Sequence, residues 1–290
     1  MPLKSANIPP DSASMLHRSG CILFAQWEEL LRIRRLTIKS CNLNDIHDLR
    51  VASRRLRAVL DLFEPIASTE QTSEINKTIR NLTRKLGDLR NTDEAIIFFQ
   101  THLDIYSHPE NRLAIKLGKR RTRQINQISI ELKTFDHHRI DKHIREMVAL
   151  MNCNPANYSN RFSLLAYFSD ASIRMFFPIQ HALAASNRPE CHETRHELRI
   201  AIKKWRYFFE IVSQVIERDY ITVLEKLKEY QSVLGSMNDI IEFEALVRKM
   251  KLPKSEQNAT TAALNAENLA LMTRFDKLVK KKPLTYTFLI

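Results

Sequence analysis

Two stretches of this chain repeat each other at a fixed distance. Residues 47–63 read HDLRVASRRLRAVLDLF and residues 196–212 read HELRIAIKKWRYFFEIV. Histidine, acid, Leu, Arg, aliphatic and Ala recur in order. Two basic residues, a bulky apolar residue and an Arg follow, with an acid four positions later. A second pair, KLGDLRNTDEAIIFF from Lys85 and VLGSMNDIIEFEAL from Val233, recurs at nearly the same offset. A near-constant offset over two separate motifs marks an internal duplication, so whatever one half folds into, the other repeats. The halves are expected at 14–151 and 158–282, with a linker at 152–157, an extension at 1–13 and a tail at 283–290.

Glycine narrows the fold class. Only 4 occur in 290 residues, against an average usage of about 7%. Sheets need turns and turns lean on glycine, so the chain is expected to be all-α. Breaks at Cys41-Asn42, Pro65, Ser107-His108-Pro109, Pro155, Pro189 and Pro253 delimit eight candidate helices. They run roughly over 14–37, 43–64, 70–104, 109–150, 157–187, 190–217, 219–251 and 254–282, with Asn44 or Asp45 and Ser68 or Thr69 as N-caps. Four long helices per half is a four-helix bundle built twice. The tail PLTYTFLI is apolar, and the sequence leaves open whether it packs on the bundle.

Charge narrows the partner. Lys and Arg number 45 against 33 Asp and Glu, a net charge of +12. Such an excess favours a polyanion: nucleic acid, anionic lipid or a phosphate polymer. No apolar run is long enough to span a bilayer, so a membrane partner is not expected. The N-terminal MPLKSANIPPDSAS has no signal-peptide core. Cys21, Cys41, Cys153 and Cys191 are scattered and read as reduced thiols of a cytoplasmic protein.

The repeated helix shows where the charge is concentrated. At about 100° per residue, Arg50, Arg54, Arg57 and Asp61 fall on the side of His47. Leu49, Ala52, Leu56, Val59, Leu60 and Phe63 fall opposite and are expected in the core. In the second copy His196, Arg199, Lys203, Arg206 and Glu210 form the stripe. Leu198, Ala201, Ile202, Trp205, Phe208, Phe209 and Val212 form the buried face. A solvated helix usually mixes signs one turn apart, because like charges at that spacing cost a few tenths of a kcal/mol per pair. Two copies accept that cost at matched positions, as a bound polyanion would allow. Asp61 and Glu210 are expected to orient the arginines above them. Lys77, Arg80 and Arg84, then Arg112, Lys116, Lys119 and Arg123 with Arg120 nearby, could extend the cationic surface, as could Arg18 and Arg174. Gly87 and Gly235, each mid-helix, are expected where another helix approaches closely or the helix bends. Asp88, Asp93, Asn238 and Asp239 follow them as partners for the arginines.

One motif points elsewhere. HETRH at 192–196 matches H-E-x-x-H, two histidines one turn apart with a glutamate between. The first copy has no counterpart of His192 or Glu193, and Pro189 places both in a frayed first turn. What is duplicated is HxxR…R, so a zinc protease site is not expected, and neither metal nor cofactor is assigned. Asp136-His137-His138…His143 lacks ligand spacing and reads as surface. No phosphate-binding glycine loop and no nucleophile elbow occurs, so an enzyme is not expected.

The two doubled motifs resemble those of the CHAD family, the conserved-histidine α-helical domain, and the resemblance extends from about residue 14 to 282. It implies two pseudo-symmetric four-helix bundles around a basic pore or groove. It further implies binding of inorganic polyphosphate and association with polyphosphate granules; metal chelation is an older idea for the family's histidines. By position the contacts would be His47, Arg50, Arg54 and Arg57, with His196, Arg199, Lys203 and Arg206, where Lys203 keeps charge but loses a bidentate fork. Arg18, Arg80, Arg84, Arg112, Lys116 and Lys119 complete the candidate set. Other polyanions are further candidate ligands. A non-specific nucleic-acid binder is the first alternative, although the stripes lack interleaved aromatics for base stacking. A metal-assisted enzyme acting on phosphate chains is the second.

Overall fold

The computed structural model describes residues 12–40, 42–67, 69–108, 110–153, 161–186 and 191–288, and these contain helices and no strand. In chain order they are α1 (Ser12–Ser40), α2 (Leu43–Phe63), α3 (Thr72–Leu103), α4 (Arg112–Thr134), α5 (His137–Cys153), α6 (Arg161–Ala185), α7 (His192–Val215), α8 (Ile221–Arg248) and α9 (Lys254–Lys281). None of these helices is long and apolar enough to cross a membrane. The expected breaks at Cys41, Pro109, Pro155 and Pro189, the cap Ser68 and most of the expected linker lie outside the described residues.

The expected helix over 109–150 is two helices. Phe135 leaves α4 in extended conformation and is buried against Trp27, ring centroids 6.5 Å apart. The Asp136 carboxylate then accepts from the Arg139 amide at 3.1 Å and caps α5. No proline or glycine marks this break; an aromatic anchor and a capping acid make it. Helix α2 is capped by Asn42, whose side chain accepts from the Asp45 amide at 2.8 Å, two or three residues before the expected cap. Scarce glycine has a second consequence. Among the described residues the left-handed ones at helix ends are Asp104, Glu217 and Lys251, with φ of 46°, 53° and 47°, where glycine would be less strained.

Helix α1 packs on α2 and α5, α2 on α3, and α3 on α4; α6 packs on α7, α7 on α8, and α8 on α9. Helices α1 and α2 meet α7, and α3 meets α8 and α9, joining the two groups. Every residue expected on the buried faces of the repeated helix is buried, from Leu49 to Phe63 in α2 and from Leu198 to Val212 in α7.

One segment departs from its sequence reading, and one that the sequence left open is settled. His143 belongs to the core rather than the surface, because α5 lays it against the start of α3. There it is 1% exposed and hydrogen-bonded to the Thr69 hydroxyl at 2.8 Å. The tail also returns to the core. Leu284 and Phe288 are buried, and the Phe288 ring lies 5.2 Å from Phe208 and 5.9 Å from Tyr220. Phe288→Ala is expected to cost about 3–5 kcal/mol, the usual penalty for emptying a packed aromatic site, seen as a lower denaturation midpoint in urea.

Candidate functional site

Arg50, Arg54 and Arg57 of the α2 stripe and Lys203 of the α7 stripe face a common cleft of about 860 Å³, whereas His47, His196, Arg199 and Arg206 are not among its lining residues. Arg50, Arg54 and Arg57 line it from α2, Lys203, Lys204 and Tyr207 from α7, Arg80 and Thr83 from α3, and Tyr167 and Arg174 from α6. Ala58, Leu62 and Phe208 form part of its apolar floor. These cations reach it because the opposite faces of the same helices are locked in the core.

The cations stand close enough to perturb one another. Burial pushes the Arg50 guanidinium down to about 10, and Arg54, Arg199 and Arg90 push the same way. Lys203 is pushed down to about 6, first by burial, then by Arg54, Arg199, Arg50 and Arg206. Burial also lowers Arg199 and Arg57. Two carboxylates, Asp61 and Glu197, line the cleft against the six cations Arg50, Arg54, Arg57, Arg80, Lys203 and Lys204, with Arg174 at its α6 wall. Glu210 lies 3.5 Å from Arg206, as expected. Asp61 sits near Arg57, Arg80 and Lys204, and Asp239 near Arg199, Arg90 and Arg50; burial raises the pKa of both acids while these cations oppose it.

Arg50 Nε, Arg54 Nη2 and Arg199 Nε are buried yet have no hydrogen-bond acceptor, while Arg206 Nε, also without a hydrogen bond, has the Glu210 carboxylate 3.5 Å away. A buried charged donor without an acceptor is costly, and native proteins rarely leave one so. Here three belong to one constellation. The Tyr207 ring supplies a weaker partner, with the Arg54 guanidinium 5.5 Å and the Arg206 guanidinium 4.9 Å from its centroid.

His47 and His196 sit in the second turn of α2 and α7, exposed at the head of the stripes. The His196 ring bonds through Nδ1 to the Asn238 amide oxygen at 2.6 Å. His47 is pushed below its ordinary pKa by partial burial and by Arg90. Arg90, which also pairs with Glu94, was not singled out from the sequence, although it stands one repeat offset before Asn238.

The remaining candidates lie elsewhere. Arg84 is exposed on α3 and does not line the cleft. Arg18 ties α1 to the end of α7: its Nε donates to the Val215 carbonyl at 2.6 Å and its Nη1 lies 3.5 Å from Glu217. Helix α4 packs on the side of α3 away from α2 and carries its cations with it. Arg112 stands at the start of α4, its amide donating to Glu256 at 3.2 Å. Lys116, which donates to the Met250 carbonyl, and Lys119 line a different cleft. Asp93 pairs with Arg121 of α4 at 2.7 Å rather than with the stripe.

The glycines also differ from expectation. A Cβ at Gly87 would meet only Arg50 Nε, at 3.7 Å, and one at Gly235 would meet nothing within 4 Å, so no helix approaches closely at either. In HETRH the two histidines have separate partners, His192 beside Arg195 at 3.1 Å and His196 on Asn238. Among the described residues no group of three or more His, Cys, Asp or Glu could hold a metal ion.

Solved structures share this fold. The crystal structure of the CHAD domain from the plant Ricinus communis superposes with a TM-score of 0.66 at 19% identity, covering 99% of this chain and 98% of that one. PptA from Streptomyces chartreusis superposes with a TM-score of 0.67 at 18% identity, covering 94% and 100%. No curated protein matches. The family model described as the CHAD domain matches residues 21–248, most of the chain and both stripes, and the protein belongs to the CHAD family.

Proposed function

We propose that this protein is a non-enzymatic binding module for inorganic polyphosphate, held in the cleft between α2 and α7. The carrying observation is that two guanidinium nitrogens of the cleft lining, Arg50 Nε and Arg54 Nη2, are buried without acceptors, as is Arg199 Nε, whose charge acts on both. A phosphate chain supplies oxygens at close, regular spacing, and charge-assisted bonds to guanidinium are among the stronger polar contacts. Its negative charge would also relieve the repulsion that lowers Lys203 and Arg50. Tyr207 is buried and already lies against two guanidiniums, which leaves it ill placed to stack on a base. Family membership adds the expectation of polyphosphate as ligand, and with it a cytoplasmic protein found at polyphosphate granules.

The test is binding of labelled long-chain polyphosphate over a salt series, with single-stranded DNA and orthophosphate as competitors. Polyphosphate is expected to win by orders of magnitude, its affinity falling with salt at a slope of roughly −0.7 per phosphate neutralised. Equal competition by DNA would make the charge generic. Shortening of the chain on incubation would make the protein an enzyme.

A further inference from the structure

A second cleft, of about 670 Å³, opens on the far side of α3, between α4 and the C-terminal end of α8. It shares no lining residue with the first. Six cations surround it, Lys85, Lys116, Lys119, Arg120, Arg123 and Lys249, against one carboxylate, Asp88. Glu131 pairs with Lys85, and Arg120 Nε donates to the Thr92 hydroxyl at 3.1 Å. Lys119, Arg123 and Lys249 are exposed and make no ion pair among the described residues. Along α4 the pairs Lys116–Arg120 and Lys119–Arg123 set like charges one turn apart, the same unfavourable spacing as in the stripes. A concave surface built this way favours an anion.

The other lining groups ask for more than phosphate. Gln124 Nε2 donates to the Asp88 carbonyl at 3.0 Å, which fixes the amide orientation and leaves Oε1 as an acceptor. That oxygen is buried and has no donor. Gln127 and the Asp88 carboxylate add acceptors beside it. An inorganic phosphate chain, ionised at neutral pH, offers only acceptors and cannot satisfy them. A ligand with hydroxyl or amino groups can. Ile128, Leu246 and Met250 give an apolar wall on which a ring could rest, and the volume falls within the range of about 300–1,000 Å³ common for small-molecule sites.

We propose that this second cleft binds a nucleoside triphosphate. The triphosphate lies among Lys119, Arg120 and Arg123, the ribose hydroxyls donate to Asp88 and Gln124, and the base rests on the wall of Ile128, Leu246 and Met250. This inference does not depend on the ligand of the first cleft.

The experiment titrates the full-length protein with ATP and with inorganic triphosphate by calorimetry. One equivalent of ATP is expected to bind, with inorganic triphosphate at least about tenfold weaker, since it lacks the ring and the donors. Lys119→Glu/Arg123→Glu, both at exposed positions, is expected to weaken ATP at least about thirtyfold and to leave long-chain polyphosphate within about twofold, two lost charge-assisted contacts confined to one cleft. Asp88→Ala is expected to shrink the preference for ATP over triphosphate. ATP binding should survive Arg54→Glu/Lys203→Glu, so failure of the first-cleft reading would leave this one standing. Absence of ATP binding at millimolar concentration, or equal binding of ATP and triphosphate, overturns the proposal. So does a parallel loss of polyphosphate in the Lys119/Arg123 variant, which would make the cleft an extension of the first.

Discussion

Arg54→Glu/Lys203→Glu is expected to lose polyphosphate binding and to gain thermal stability. The two positions face each other across the first cleft, one from α2 and one from α7, and each lies in the field of Arg50 and Arg199. Removing two charge-assisted contacts costs roughly 1.5–3 kcal/mol each, before the repulsion from two new carboxylates. The dissociation constant should therefore rise at least about a thousandfold. The opposite effect on folding follows from the same geometry. In the free protein the fold must hold Lys203 largely neutral among guanidiniums at pH 7, and a carboxylate there removes that deprotonation cost and adds attraction to Arg50, Arg199 and Arg206. A rise of a few degrees in melting temperature is expected, about 2–4 °C per kcal/mol for a chain of this size class. Lys203→Met, which removes charge and keeps bulk, should show both trends at reduced size. Filter binding and calorimetry on the same samples read the two effects. Undiminished binding would place the ligand elsewhere. A lower melting temperature would mean that the cations serve packing and not a ligand.

The buried faces of α2 and α7 were legible because apolar periodicity reports directly on which side of a helix is dry. The cationic stripes were legible for the complementary reason: like charges one turn apart are unfavourable without a counter-charge. What the sequence hid has equally physical causes. The α4–α5 break depends on Phe135 finding Trp27, a contact between residues 108 positions apart in the chain. Helix α4 carries a cationic face as dense as that of α2, yet a wheel cannot say which neighbour a face meets; α4 turned out to lie behind α3. Tyr207 stands four residues after Lys203 and so lies in line with the stripe, and it is both buried and part of the cleft lining. The glycines show the limit of inference from propensity. Both were expected where another helix approaches or the helix bends; no helix approaches at either, and nothing in the structure explains Gly235.

Acidity should govern binding through Lys203. Its amine is pushed down to about 6 by burial and by the guanidiniums of Arg54, Arg199, Arg50 and Arg206, so it is largely neutral at pH 7 in the free protein. Phosphate oxygens favour the ammonium, and binding therefore draws in a proton. Above pH 6 and below the pKa of the bound state, affinity is expected to fall as pH rises, by up to about tenfold per pH unit. The stability of the free protein should slope the other way. Lys203 is held below its ordinary value of about 10.4, so between that value and about 6 the unfolded chain binds more protons than the folded one, and stability rises with pH. Titration with polyphosphate at pH 7.5, in two buffers of different ionisation enthalpy, measures the proton uptake. His47, lowered by partial burial and Arg90, is a second group able to take up a proton, so the comparison is made against Lys203→Met. About one proton is expected for the wild type and a clear deficit for the variant. Equal uptake in both would show that Lys203 keeps one protonation state through binding, and the cleft would then bind with no proton linkage at this residue.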